Sequence, residues 1–308
     1  MKKKKMLFIC NAHAGKGLVK NKLLSILNTF TQAGYEITIH LTQKQGDAVC
    51  AVKEREEGYA LVVCSGGDGT LDEVVTGMML SGEKKSIGYI PAGSTNDFAK
   101  SLKLPRNMEK AAKTIVDSVY YACDVGSFND DYFVYIAAFG IFTEVSYETS
   151  QEVKNVLGHM AYLLNGMRKL STIKSYRLKV TAANLEYEDD YIFGMITNSF
   201  SVGGFKSITG KEVKLDDGLF EVTLIKRPKN ALELQAILTA FVMEEADERY
   251  MHTFKASSLQ ITSEERIPWT LDGEFGGDWQ EVSIVNNRRA IEIAVPESKK
   301  LPVSEYCP

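Results

Sequence analysis

This sequence holds very little that could serve redox or transition-metal chemistry. Its 308 residues include five cysteines, Cys10, Cys50, Cys64, Cys123 and Cys307, an odd number with no Cys-x-x-Cys pair. Most of them fall inside apolar runs, where cysteine acts as a small hydrophobe, so no disulfide scaffold is expected and a reducing compartment is. The four histidines, at positions 13, 40, 159 and 252, have no spacing that suits zinc, and no transition metal is expected. Positive charge is not in excess either, because 36 Lys and Arg face 40 Asp and Glu for a net charge of −4. Nucleic acid is therefore excluded as a partner, since phosphate-backbone binding needs concentrated cationic side chains, and any anionic ligand must be held locally.

Long hydrophobic runs are missing as well. Lys2 to Lys5 are followed by only Met6 to Cys10 before Asn11. That is too short for the apolar region of a signal peptide and far too short to span a bilayer. A cytoplasmic chain is expected, with the lysines as a solvated tail or as an aid to transient contact with the inner face of the membrane.

What is present divides the chain in two, as its length leads one to expect. Up to about Gly126, short apolar runs alternate with segments of helical period. Strands are predicted at Leu7 to Cys10, Tyr35 to Leu41, Ala60 to Cys64, Ile87 to Ile90 and Tyr120 to Val125. Helices are predicted at Val19 to Ala33, Ala48 to Glu57, Leu71 to Leu80, Asp97 to Leu102 and Met108 to Val116. This is the pattern of an α/β domain, a Rossmann-like parallel sheet covered by helices.

Beyond that point, alternating or β-branched runs at Tyr132 to Ala138, Tyr176 to Thr181, Tyr191 to Thr197, Leu219 to Ile225, Leu259 to Thr262, Val282 to Val285 and Ile291 to Val295, joined by Asn, Asp and Gly turns, predict an antiparallel β-sandwich. The fold class is thus α/β plus β, with residues 1–126 and the tail 296–308 in the first domain and 127–295 in the second. One helix is expected inside the second, near 153–170, where Val153, Val156, Leu157, Met160, Leu163, Leu164, Met167 and Leu170 form a single stripe. That stripe is either core or a lid or membrane-facing surface for a greasy substrate.

The strongest local signal is Cys64-Ser65-Gly66-Gly67-Asp68-Gly69-Thr70-Leu71-Asp72-Glu73, set where a buried strand turns into a helix. Three glycines in four residues let backbone amides approach a phosphate, and a helix amino terminus adds partial positive charge. Asp68 in such a cradle would repel an anion unless a cation or a proton transfer employs it. The usual nucleotide signatures do not fit. Counting from Gly67, the dinucleotide fingerprint meets Asp72 where its third glycine belongs. A Walker A loop ending on Gly15-Lys16 would need glycine at Cys10 and a hydroxyl at Gly17. Protein-kinase signatures and a Gly-x-Ser-x-Gly elbow are absent too.

Other segments fall at the same predicted sheet edge. Asn11-Ala12-His13-Ala14-Gly15-Lys16-Gly17 follows the first strand, and Lys16 can face a ligand there, whereas His13 reads as incidental. Pro91-Ala92-Gly93-Ser94-Thr95-Asn96-Asp97 follows the fourth strand, and its hydroxyls can cap a helix or hold phosphate oxygens. Asp124 ends the fifth. In the second half, Asp272-Gly273-Glu274 is either a hairpin turn or a general base with its partner. Asp216-Asp217-Gly218-Leu219 offers a plain turn or a magnesium site.

In order and spacing, Asn11 to Gly17, Gly66 to Asp72, Pro91 to Asp97, Asp217 to Leu219 and Asp272 to Glu274 resemble the diacylglycerol kinase catalytic-domain family of bacterial lipid kinases. The Gly-Gly-Asp-Gly-Thr element is shared with NAD kinases and sphingosine kinases; the segment at 91–97 and the late Asp-Gly-Glu favour the lipid-kinase branch. The resemblance implies a nucleotide domain, a β-sandwich, and catalysis in a cleft between them. It implies ATP contacts from Asn11, Ala12, His13, Ala14, Gly15, Thr42, Gly66, Gly67, Asp68, Gly69, Thr70, Leu71, Asp72 and Ser94 or Thr95.

It further implies a water-linked Mg2+ network of Asp68, Asp97 and Asp124, and a second Mg2+ on Asp217 with the carbonyls of Lys214 and Leu219. Glu274 matches the family's proton acceptor with Asp272 beside it, and Asp272 and Asp68 stay open as alternative bases. The expected activity is transfer of the γ-phosphoryl group of ATP to a lipid hydroxyl, first of all that of diacylglycerol. An NAD kinase, a sphingoid-lipid kinase and a non-catalytic nucleotide-binding regulator are the alternatives. A homodimer is left open.

Overall fold

The computed structural model describes residues 4–54, 58–82, 86–141, 173–199, 201–202, 205–206, 213–243 and 245–297. The chain divides into two compact units. One comprises residues 1–125, 215–217 and 288–308, and the other 126–214 and 218–287. The helix expected near 153–170 lies outside the described residues.

The first unit starts with β1 (Lys4–Cys10), α1 (Val19–Gln32), β2 (Tyr35–Leu41), α2 (Asp47–Glu54), β3 (Leu61–Gly66) and α3 (Asp68–Ser81). There follow β4 (Ser86–Pro91), α4 (Asp97–Ser101), α5 (Met108–Val116) and β5 (Val119–Phe128), the last running on past residue 125. Strands β2, β1, β3 and β4 lie side by side in that order, all parallel. Met6, Phe8 and Cys10 of β1, Leu61 and Val63 of β3, and Ile90 of β4 are buried with Val19, Ile26 and Phe30 of α1 and Ala111, Ala112 and Ile115 of α5. The apolar stripes of α1 and α5 thus cover the buried stretches of these strands, each large buried side chain contributing roughly 1.5–3 kcal/mol.

Register makes this unit a platform. Cys10 stands opposite Leu41 on one side and Ser65 on the other, and Gly66 stands opposite Pro91. The carboxyl ends of four parallel strands are therefore level, and the loops 11–18, 42–46, 67 and 92–96 leave from one edge. One boundary differs from the sequence expectation in a way that matters: α3 begins at Asp68 rather than at Leu71. Gly67 is extended, so the helix starts three residues earlier and Asp68, Gly69 and Thr70 form its first turn.

The second unit contains β6 (Asp131–Phe133), β7 (Ile136–Gly140), β8 (Tyr176–Ala182), β9 (Leu185–Thr197), β10 (Ser201–Val202), β11 (Phe205–Lys206) and β12 (Phe220–Lys226). It continues with α6 (Ala231–Met243), β13 (Met251–Ala256), β14 (Ser258–Leu271) and β15 (Glu274–Val295), which runs on past residue 287. Pairing is antiparallel throughout: β12 lies between β13 and β9, β7 between β9 and β14, and β14 also pairs with β8 and β15. Trp269 stands edge-on to Phe128 at 5.0 Å and to Phe139 at 4.9 Å, and Phe133 stacks on Phe220 at 5.4 Å. These rings fill the core that inward-facing alternate residues define.

Two short expected strands at Val282 to Val285 and Ile291 to Val295 are parts of the single 22-residue β15, whose end, at Glu292 and Ile293, pairs in parallel with β4. Helix α6 was not expected. Its sequence is apolar nearly all round, so it carries no sharp 3.6-residue stripe. No helix among the described residues is long and apolar enough to cross a membrane.

Candidate active site

At the carboxyl edge of the first unit, three loops lie backbone against backbone. A Cβ on Gly93 would come within 2.6 Å of the Cα of Gly67, and one on Gly15, whose φ is +56°, within 2.5 Å of the Ala92 carbonyl oxygen. Only glycine permits this approach. The Ala92 amide donates to the Gly66 carbonyl at 2.7 Å, and the Asn11 amide to that of Ser65 at 2.9 Å. Asn11 Nδ2 donates to Thr70 Oγ1 at 3.2 Å, so Thr70, buried beneath Gly66, ties the first loop to α3. Asn96 closes the fourth-strand loop. In the left-handed region at φ 51°, it accepts the Gly93 amide at 3.0 Å through Oδ1 and donates Nδ2 to the Gly93 carbonyl at 2.8 Å.

This packing leaves the start of α3 bare. Gly67 is its N-cap and supplies no side-chain acceptor, so the first-turn amides of Asp68, Gly69 and Thr70 open a 14-residue helix without a cap. Amides so placed, with the dipole behind them, attract an anion. Leu71 has a different part: its side chain is core and its amide returns to the Gly67 carbonyl at 3.1 Å. Asn11, Ala12, Ala14, Thr42, Gly67, Gly69 and Asp72 are half-buried, whereas His13, Gly15, Lys16, Ser94 and Thr95 are exposed.

Asp68 is the charged group of this edge. Its Oδ2 accepts the Asp97 amide at 3.4 Å, while its Oδ1 is buried with no partner. Burial, reinforced by the neighbouring Asp97 carboxylate and opposed by the amides at the start of α4, pushes its carboxyl up to about 6 from the ordinary 3.8. Asp97 is buried and paired with Lys100 at 2.7 Å. A buried carboxylate oxygen without a donor beside a second carboxylate is an arrangement that a divalent cation relieves, so Asp68 and Asp97 fit one. Among the described residues no group of three or more His, Cys, Asp and Glu side chains gathers to hold a metal.

Asp124 is held otherwise. Its Oδ1 accepts the Arg289 amide at 2.7 Å, and the Arg289 guanidinium in turn reaches Asp216 Oδ2 at 2.9 Å. Arg289 lies 165 positions from Asp124, so no local sequence pattern marks it. Lys214, Asp217 and Leu219 are half-buried in the irregular segment before β12.

In the second unit, Asp272 and Gly273 have φ of 50° and 87° and join β14 to β15, with Leu271 opposite Glu274. Both central residues in the left-handed region are what a two-residue hairpin asks for. The Asp272 carboxylate is buried and accepts three amides, from Val134 at 2.6 Å, Tyr135 at 2.9 Å and Ile136 at 2.9 Å. The Asp272 amide donates to the Ile136 carbonyl at 2.9 Å, and the Tyr135 hydroxyl to the Asp272 carbonyl at 3.2 Å. Glu274, two residues on, is exposed at the start of β15.

The profile of the diacylglycerol kinase catalytic domain matches residues 5–128, and that of the YegS C-terminal NAD kinase beta sandwich-like domain matches 137–294, just over half of the chain. The diacylglycerol kinase of Bacillus subtilis (strain 168) is 33% identical over 96% of this chain and 98% of its own. The chain belongs to the diacylglycerol kinase family. The diacylglycerol kinase of Staphylococcus carnosus (strain TM300) is also 33% identical, over 97% of both chains. Two solved structures from Bacillus anthracis str. Sterne agree over nearly the whole length. One, described as a diacylglycerol kinase, has a TM-score of 0.76 at 25% identity over 97% of this chain and 99% of that one. The other reaches 0.81 at 27% over 97% of both. As a diacylglycerol kinase family member the protein is a phosphotransferase of the lipid-kinase type, with an α/β domain followed by a β-rich one.

Proposed function

We propose that this diacylglycerol kinase family member transfers the γ-phosphoryl group of ATP to the free hydroxyl of diacylglycerol, giving phosphatidic acid. The observation that carries the reading is the bare first turn of α3, with three amides and the donorless Asp68 oxygen at one point of the first unit. Amides of Asp68, Gly69 and Thr70 hold phosphate oxygens and neutralise charge that grows on them during transfer. The loops at 11–17 and 92–96 shape the cradle, and Thr42 with Ser94 or Thr95 contacts the nucleotide.

Asp68 and Asp97 are the groups to hold Mg2+, which when bound screens the phosphate charge; Asp124 and the segment of Lys214, Asp217 and Leu219 are further ligand candidates. The acceptor oxygen attacks the γ-phosphorus, its proton passes to the Glu274 carboxylate, and the bond to the bridging oxygen breaks to release ADP. Asp272 is given a fixing role instead, because three amides already occupy its oxygens. A lipid acceptor calls for peripheral contact with a membrane, made from the cytoplasm. The test is incubation of the purified protein with ATP, Mg2+ and either diacylglycerol micelles or NAD. Phosphatidic acid is the expected product, and phosphorylated NAD without lipid product would move the protein to the NAD kinase reading.

A further inference from the structure

Glu73 is prominent in the geometry and has no part in the mechanism above. It lies on α3, a little over one turn beyond the amides of the cradle, and is half-buried. Both its oxygens point at another loop: Oε1 accepts the Gly46 amide at 2.8 Å and Oε2 the Ala48 amide at 3.0 Å. Those amides belong to the turn that opens α2, with Gly46 in the left-handed region at φ +80°. The rest of that loop is tied down to match. The Thr42 amide donates to the Cys10 carbonyl at 3.0 Å, and the Gln43 amide to Asp47 Oδ2 at 2.7 Å.

The segment from Thr42 to Gly46 leaves the same sheet edge as the phosphate cradle, and Gln43, Lys44 and Gln45 on it are exposed. A plain surface loop of this length needs no half-buried carboxylate from another element to hold it. Here one carboxylate caps two amides and, being on α3, makes the position of the loop depend on the helix that carries the cradle. Each such charge-assisted bond is stronger than a neutral one, and removal of the carboxylate strands two amides at once.

We propose that Glu73 is a positioning residue for nucleotide binding, holding the 42–46 loop in register with the amides of Asp68, Gly69 and Thr70 so that both grip one nucleotide. This rests on the assignment of the nucleotide to the first unit. Glu73 touches no substrate; it acts through the loop. The glutamine variant keeps the shape and one acceptor, whereas the alanine variant keeps neither.

The test compares wild type, Glu73→Gln and Glu73→Ala in phosphoryl transfer to diacylglycerol micelles, varying ATP at fixed lipid and lipid at fixed ATP, with thermal unfolding of each protein alongside. The expected result is an ATP KM raised about tenfold in Glu73→Ala, less in Glu73→Gln, with the KM for lipid unchanged. Should Glu73→Ala be too unstable to assay, the ATP KM of Glu73→Gln decides. An ATP KM unmoved in the variants, with only the unfolding temperature lowered, would reduce Glu73 to a structural cap and overturn the proposal. Wild type that transfers nothing from ATP would instead overturn the nucleotide assignment beneath it, so the two failures are told apart by the unmutated protein.

Discussion

Two short turns in this protein combine glycine with aspartate, and they put the acid to opposite uses. In the turn from Gly66 to Thr70 the carboxylate of Asp68 keeps one buried oxygen without a donor and faces a second carboxylate, that of Asp97. In the turn from Leu271 to Glu274 the carboxylate of Asp272 is satisfied by three amides. A buried charge that is fully hydrogen-bonded is fixed and inert, whereas one left short of donors is costly in the resting protein and ready for a ligand or a proton. Residue type and neighbouring glycines do not separate the two cases; the partners supplied by distant parts of the chain do.

Substitution should expose the contrast most strongly at Asp68. Asp68→Ala is expected to lower kcat/KM for ATP at least about a thousandfold, as removal of a group central to the reaction does, with circular dichroism near that of wild type and an unfolding temperature at pH 7 no lower. Glu274→Gln comes next, with kcat reduced about a hundredfold and stability unchanged, the loss typical of a missing general base. Asp272→Ala should reverse the pattern. It strands three buried amides, so urea unfolding should show a loss of about 3 kcal/mol, with a lesser loss in Asp272→Asn, which retains one acceptor oxygen. Equal stability of wild type and Asp272→Ala would erase the difference between the turns.

The mildest probe is pH. The Asp68 carboxyl is raised to about 6 from 3.8, so between those values the folded protein binds more protons than the unfolded chain. Stability contributed by this group is therefore lost as pH rises through that window, and Asp68→Asn should be more stable than wild type at pH 7 but not at pH 4. Activity should run the other way, with kcat/KM for ATP rising through about pH 6 as Asp68 ionises. A profile flat across that range would show that the burial of Asp68 has no bearing on catalysis.

Much of the first unit was legible because its signals are local. Parallel strands buried on both faces read as continuous apolar runs, glycine marked the turns, and β2 and α5 lie where periodicity alone sets them. The strand-to-helix turn at 66–70 was legible for the same reason, as strand, glycines and helix follow one another directly. Its finer geometry was not: the start of α3 at Asp68 depends on Gly67 being extended, which no period encodes. The role of Asp272 depends on amides more than 130 residues away, and Glu73 acts on a loop 25 to 27 residues before it. Helix α6 was hidden by its uniform apolarity, and β15 was read as separate strands because it bears exposed polar residues in mid-course.

The most direct measurement is transfer of label from ATP carrying it in the γ-phosphate, offered diacylglycerol, a sphingoid base and NAD in separate reactions with and without Mg2+, by wild type and Asp68→Ala. The account predicts labelled phosphatidic acid from wild type with Mg2+, and none from the variant. Equal labelling of lipid by Asp68→Ala, or label on NAD alone, would contradict it.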